Sequence, residues 1–364
     1  MNTDLFLLYT ITFFTVSGAM TFSACPAARW LSFLIGAIDN PDGGRKRHAF
    51  PTPRLGGIAV AAGFILPFLA SIGFENELLR AIALGGAVIL LMGVTDDVRG
   101  MAAPMKLILQ ISAALIAFLS GIRITSFRIG EMTCGTGILS LPLTILVIVA
   151  ITNSFNLIDG IDGLSAGEGA VCSFFLSVLS LVSGDFFSGG VSAALCGAAV
   201  GFLPYNLKKK KLFLGDSGAQ LIGFIISILS AEKLSGENAV PLFALLFILA
   251  YPLSETAASF IRRMRRGKNP MRADRGHFHY RLIDMGIGLG QACSHLLIVS
   301  AVFCMAGICL ALGALPSLVI ILLIGVFTVR YGRRLLFSEK FIKRTEKASD
   351  KIAQNIDHGK GCAE

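Results

Sequence analysis

Five aspartates, Asp96, Asp97, Asp159, Asp162 and Asp216, stand at the edges of long apolar runs. A carboxylate costs roughly 2.5–3.5 kcal/mol at the centre of a membrane-spanning helix, so acids kept this close to one point to function. Asp159 and Asp162 belong to the stretch 153–164, Asn-Ser-Phe-Asn-Leu-Ile-Asp-Gly-Ile-Asp-Gly-Leu, which also supplies Asn153 and Asn156. Its two Asp-Gly steps break a helix and bring backbone amides close to whatever binds there. Carboxylates brought together repel one another unless a cation or lysines lie among them. Hard oxygen ligands from separate loops suit Mg²⁺, with Mn²⁺ as the alternative, and such an ion is commonly shared with substrate phosphates.

Basic and imidazole groups accompany the acids. Arg54 lies at the centre of a Pro-Thr-Pro-Arg-Leu-Gly-Gly run at 51–57, Lys106 and Gln110 follow the Asp96–Asp97 pair, and four lysines occupy 208–211. Further on, Asp274-Arg275-Gly276-His277-Phe278-His279-Tyr280-Arg281 combines guanidinium and imidazole donors suited to phosphate. Each segment also has a plainer reading. The Asp96–Asp97 pair could be a solvated helix end, although acids there oppose the helix dipole. The lysine run could be a membrane-surface anchor, and His277-x-His279 a zinc half-site or an ordinary loop. Gly215-Asp216-Ser217-Gly218 matches the tetrapeptide of a serine-protease nucleophile, but membrane spans cannot build that β-barrel. The 153–164 spacing is wrong for an EF-hand calcium loop. Together the parts suit phosphoryl transfer at a membrane: a divalent ion on a diphosphate, cations on its oxygens, and a carboxylate as base or nucleophile.

The elements that must position these groups are membrane helices. The 364 residues are 54% hydrophobic and only 15% charged, with apolar segments recurring along the whole chain. That is the pattern of an all-α polytopic membrane protein, and no short alternating segments of a barrel are visible. Eleven spans are expected, at 5–24, 56–73, 81–95, 105–121, 139–154, 165–183, 190–205, 219–231, 240–260, 293–313 and 316–329. A single transmembrane catalytic domain over 1–330 and a cytoplasmic tail over 331–364 follow. Of the 32 lysines and arginines, all but Arg80, Arg123, Arg128 and Lys233 fall on one side of this arrangement. The positive-inside rule then places the N-terminus outside, the C-terminus in the cytoplasm, and every chemically suggestive segment on the cytoplasmic face. The net charge of +9 therefore belongs to one face, which would attract anionic lipids and anionic substrates. Nucleic acid is a poor partner, with no aromatic platform and no soluble domain. The eight cysteines are scattered without a C-x-x-C, which argues for packing rather than a metal cluster or disulfides.

In its ordered segments the chain resembles the polyprenyl-phosphate N-acetylhexosamine-1-phosphate transferases. The family's Asp-Asp pair with a following Lys-x-x-x-Gln is matched by Asp96, Asp97, Lys106 and Gln110. Its Asn-x-x-Asn-x-x-Asp-Gly-x-Asp-Gly-Leu signature is matched at Asn153, Asn156, Asp159 and Asp162, and its Phe-x-Gly-Asp-x-Gly segment around Asp216. The resemblance implies ten or eleven helices around a cytoplasm-facing cleft in a bacterial plasma membrane. It also implies Mg²⁺-dependent transfer of a sugar 1-phosphate from a UDP-N-acetylhexosamine to undecaprenyl phosphate, with release of UMP. By this likeness Asp216 takes the metal position, Asp96, Asp97 and Asp159 catalytic ones, and Asn153, Asn156 and Asp162 substrate positions. Lys106, Arg54, Arg275, His277, His279 and Arg281 would contact substrate as well. The His-x-His after Asp-Arg and the Pro-x-Pro-Arg-Leu-Gly-Gly loop are closer to the branch using UDP-N-acetylglucosamine than to the muramoyl-pentapeptide branch with its three histidines. Tyr280 replaces the third histidine. Homodimerisation stays open, as does a reading of another class, a transporter or lipid-binding scaffold.

Overall fold

A computed structural model describes residues 3–41, 50–71, 75–208, 211–235, 239–265, 267 and 277–314. The described residues are mostly helical, as expected. Its helices are α1 (Thr3–Ile35), α2 (Gly56–Ser71), α3 (Glu77–Arg99), α4 (Ala103–Leu119), α5 (Ser140–Ile158), α6 (Leu164–Val182), α7 (Phe186–Asn206), α8 (Gly215–Leu234), α9 (Leu242–Ile248), α10 (Ala250–Arg265), α11 (Phe278–Asp284) and α12 (Leu289–Ala311). Seven of these are long and apolar enough to cross a membrane, α9 and α10 form one bent pair that makes up to eight, and α2 and α4 are shorter apolar helices. These segments match the first ten expected spans in order. The eleventh, 316–329, and the tail 331–364 lie outside the described residues. Two small antiparallel pairs add the only strands described: β1 (Ile38–Asp39) with β2 (Thr52–Pro53), and β3 (Ser126–Ile129) with β4 (Met132–Gly135).

Several boundaries differ from the sequence expectation by four residues or more, and three of the differences bear on the site or the bundle. The first span runs on to Ile35 instead of ending at 24, because Pro26 is carried inside the helix. The segment 240–260, expected as one straight span, is broken near Leu249 and turns by 79°. Thiols of Cys172 and Cys304 bond the Ile248 carbonyl at that break, at 3.4 and 3.3 Å, supplying a partner beside it. The third is α5, which continues to Ile158, so Asn153 and Asn156 lie in its last turns and the chain breaks only at Asp159. Asn153 is tolerated there because its amide is bonded, to the Val149 carbonyl at 3.0 Å and to Gln110.

Helix α8 is the buried axis of the bundle, packed by α2, α3, α5, α6 and α7. With no hydrophobic force between helices in lipid, close backbone approach through small residues supplies the packing. Gly93 of α3 shows how close: a Cβ there would stand 2.2 Å from the Ser217 Cα. Any side chain at 93 would push α3 off the N-terminus of α8, where the aspartates meet.

Candidate active site

The motif segments gather at one end of the bundle. Residues 51–57 are fastened to residues 212–214 by backbone hydrogen bonds: Phe213 N–H to Pro53 O (2.8 Å), Gly56 N–H to Phe213 O (3.0 Å) and Gly57 N–H to Leu214 O (2.9 Å). This fixes Arg54 beside Asp216, with Nη2 4.0 Å from Oδ1, and beside Asp97, with Nε 3.5 Å from Oδ1.

The Asp96–Asp97 pair divides. Successive helical residues point in different directions, and these two have different partners. The Asp97 side chain is fully buried, its Oδ1 accepting from Asp216 N–H (3.0 Å) and its Oδ2 from Ser217 N–H (3.1 Å) and Ser217 Oγ (2.8 Å). It thus caps the N-terminus of α8, which has no cap from its own chain neighbour. An acid that opposes the dipole of α3 thereby complements the dipole of α8. Asp96 instead binds the Lys106 ammonium, which also donates to Asp216 Oδ2 at 2.6 Å. One ammonium therefore holds two carboxylates.

Beneath this cluster lies a set of amides. Gln110 donates to Gln220 Oε1 (2.7 Å) and Asn153 Oδ1 (3.2 Å), and Asn153 returns a bond to Gln110 Oε1 (2.7 Å). Asn153 is thus engaged with the bundle through both its amide atoms. Asn156 follows one turn later, half-buried. Asp159 ends α5 and is partly buried. Burial, with the negative charges of Asp216, Asp97 and Asp162, pushes its carboxyl well above the ordinary 3.8, and Arg54 only partly opposes this. Asp162 is paired with Lys211. The turn between them is held by Asn206, which accepts from Gly163 N–H (2.6 Å) and donates to Leu212 O (3.0 Å).

The histidine segment closes the site from α10 and α11. His277 Nδ1 contacts Glu255 Oε1 at 2.8 Å and Ser259 Oγ at 3.3 Å, and Glu255 also accepts from Phe278 N–H (3.0 Å), capping α11. His279 is stacked on His277 with ring centroids 5.4 Å apart and is completely buried. It fills the space above Gly160, where a Cβ would lie 2.2 Å from its Nε2. Burial, then the charge of His277, lowers its pKa to about 4. His279 is therefore neutral at physiological pH, so it does not take the cationic part expected of it in a clamp. Tyr280, in place of a third histidine, reaches the Gly160 carbonyl at 3.4 Å. Arg281 is exposed on α11. Arg275 lies outside the described residues.

Sequence reasoning gave no role to Ser217, Asn206 or Gln220. A spacing signal existed for Gln220, which follows Asp216 by four residues as Gln110 follows Lys106.

A match to the glycosyl transferase family 4 model covers residues 79–233, from the start of α3 to the end of α8. A Bacillus subtilis protein named probable undecaprenyl-phosphate N-acetylglucosaminyl 1-phosphate transferase is 32% identical over 86% of this chain and 88% of its own length. The chain belongs to glycosyl transferase family 4. A Mycobacterium tuberculosis decaprenyl-phosphate N-acetylglucosaminephosphotransferase is 31% identical over 82% of this chain and 80% of its own. A Yersinia pestis undecaprenyl-phosphate alpha-N-acetylglucosaminyl 1-phosphate transferase is 28% identical over 90% and 93%. The family match contains the aspartates, Lys106 and the amide set, and leaves Arg54 and the histidine segment outside it.

Proposed function

We propose that this protein transfers N-acetylglucosamine 1-phosphate from UDP-N-acetylglucosamine to undecaprenyl phosphate. The products are undecaprenyl-diphosphate-N-acetylglucosamine, the start of a cell-envelope glycan, and UMP. The reading places the site on the cytoplasmic face of a bacterial plasma membrane. The observation that carries it is the pair of carboxylates, Asp96 and Asp216, sharing the Lys106 ammonium beside Arg54. The names of the relatives support the donor sugar and the lipid class.

The donor set fits Mg²⁺. No group of three or more His, Cys, Asp or Glu side chains converges as a ready-made metal cage among the described residues. Two carboxylates, Asp96 and Asp216, meet at one ammonium, which is the number an ion that keeps its waters and binds substrate phosphates takes from a protein. Asp216, assisted by Asp96, would hold it, with Lys106 balancing the two acids in its absence. When bound, the ion supplies charge neutralisation to the diphosphate oxygens.

In the reaction an oxygen of the lipid phosphate attacks the phosphorus bearing the sugar. The bond from that phosphorus to the bridging oxygen breaks, and UMP leaves with the electron pair. Arg54 and Lys106 would carry the negative oxygens. Asp159 is suited to take the proton of a protonated lipid phosphate, its raised pKa lying closer to that of the group it serves. Asp97 and Glu255 serve by position, one setting Asp216 and the other setting His277.

The test uses purified protein in detergent with undecaprenyl phosphate, Mg²⁺ and radiolabelled UDP-N-acetylglucosamine. Label should enter the organic phase with stoichiometric UMP, and chelation should stop it. UDP-N-acetylmuramoyl-pentapeptide serves as the competing donor. Transfer from that donor alone would overturn the sugar assignment, and no transfer from any donor by folded protein would overturn the enzyme.

A further inference from the structure

We infer that Gln220 is a positioning residue for the Lys106–Asp216 pair, an inference that rests on the function proposed above. Helices α4 and α8 each pack against α3 and α5, and no comparable backbone packing joins α4 to α8 among the described residues. What joins them is two rungs of side chains. Lys106 reaches Asp216 at 2.6 Å, and one helical turn deeper Gln110 reaches Gln220 at 2.7 Å. Both rungs use the same i, i+4 ridge on each helix, so the lower rung sets the azimuth and height at which the upper one meets. The place of Lys106 between two acids is therefore not settled by backbone packing alone.

The polarity of the lower rung is also fixed. The Val149 carbonyl takes the Asn153 amide N–H, which orients Asn153. Asn153 orients Gln110, and Gln110 presents its N–H to the Gln220 carbonyl oxygen. Reversing any one amide would set donor against donor or oxygen against oxygen. The arrangement leaves Gln220 Nε2 buried with no acceptor among the described residues. An unpaired amide donor in a membrane interior is a cost to stability; an apolar side chain of like size would remove it while leaving one Gln110 N–H without its acceptor, so the two costs offset. With stability near balance, the contribution left to this glutamine is the rung itself.

The experiment compares wild type, Gln220→Leu and Gln220→Glu in detergent. For Gln220→Leu we expect kcat to fall about tenfold, since sub-ångström misplacement of a charge-bearing group is felt at that scale. KM for the UDP-sugar should stay within about twofold, and the thermal midpoint should stay close to that of wild type. Gln220→Glu keeps the acceptor oxygen for Gln110 and should recover most of the rate. Independently of catalysis, acetic anhydride labelling read by mass spectrometry should modify Lys106 several-fold faster in Gln220→Leu. Wild-type kcat in Gln220→Leu would overturn the inference, as would unchanged Lys106 labelling or a rate loss tracking a fall in thermal midpoint. If wild type lacks transfer activity, the proposed function fails while the Lys106 labelling still decides the geometry.

Discussion

The two ends of the bundle handle buried charge in opposite ways. At the end remote from the motifs, Lys233 is matched to Asp185, which also caps α7 through Ser188 N–H (3.1 Å). Glu232 takes the Ser188 hydroxyl on both its oxygens at 2.8 Å, and Arg80 donates to Ser120 O at 3.1 Å. At the motif end Asp96 and Asp216 divide one ammonium, and Asp159 faces three other acids. The same residue type titrates in opposite directions. Burial raises Asp185, but Lys233 and the Ser188 bonds outweigh it, so its pKa lies below the ordinary value. Burial and like charge hold Asp159 above it. Matched charge stabilises a fold, whereas acid left in surplus is available to a cation and, through it, to a phosphate.

The strongest way to break the comparison is at Asp216. Asp216→Asn should reduce transfer by roughly 10³-fold, about 4 kcal/mol of transition-state stabilisation. Its thermal midpoint should fall less than that of Asp185→Asn, because Asp96 remains to take the Lys106 ammonium. Restored transfer at high Mg²⁺ would instead show a purely affinity role for this carboxylate.

Asp159 sharpens the contrast through pH. As a base it must be ionised, so kcat/KM should fall as pH drops through its raised pKa, above the ordinary carboxylate range. Asp159→Asn should lose about 10²-fold in rate and that acid limb with it. Linkage gives stability the opposite sign at the two ends. The raised Asp159 destabilises the fold at pH above 3.8, most fully once pH exceeds its raised value. The depressed Asp185 stabilises above 3.8, a contribution lost as pH falls through its lowered pKa. Thermal midpoints from pH 3 to 8 should therefore rise at neutral pH in Asp159→Asn and fall in Asp185→Asn.

Removing Asp185 also leaves Lys233, 3% exposed, without its carboxylate. Breaking a buried pair costs about 3–5 kcal/mol, here with no change in kcat of the protein that remains folded. The smallest expected effect is Gly160→Ala. Its methyl would displace His279 and raise KM for the nucleotide sugar about tenfold while kcat changes less. Unchanged KM would mean that the histidine segment does not depend on its seat over Gly160.

Much of this was legible in the sequence, for physical reasons. Apolar length marked the membrane segments, and polar groups that such segments do not hold idly marked the site. What was not legible depends on direction. Asp96 and Asp97 read as a pair, yet a helix turns about 100° between them, which sends one to Lys106 and the other to cap α8. His277 and His279 read as two cationic donors, yet one meets Glu255 and the other is buried neutral over Gly160. Asp162 read as a substrate position, and nothing in the spacing showed that Lys211 from a distant segment pairs with it. Asn206 carried no cue, because only the fold brings residues 163 and 212 together. The break near Leu249 was hidden because α9 and α10 follow each other as one apolar-to-amphipathic run.

The most direct measurement of the difference between the ends is a paired one, Asp216→Asn against Asp185→Asn. Transfer from UDP-N-acetylglucosamine and thermal midpoint would be read on the same preparations. The expected result is a crossed pattern: Asp216→Asn folded with the smaller loss of midpoint and without transfer, Asp185→Asn more destabilised and with wild-type kcat. Parallel behaviour, with both variants losing stability and transfer together or Asp216→Asn retaining transfer, would contradict the assignment of chemistry to one end and structure to the other.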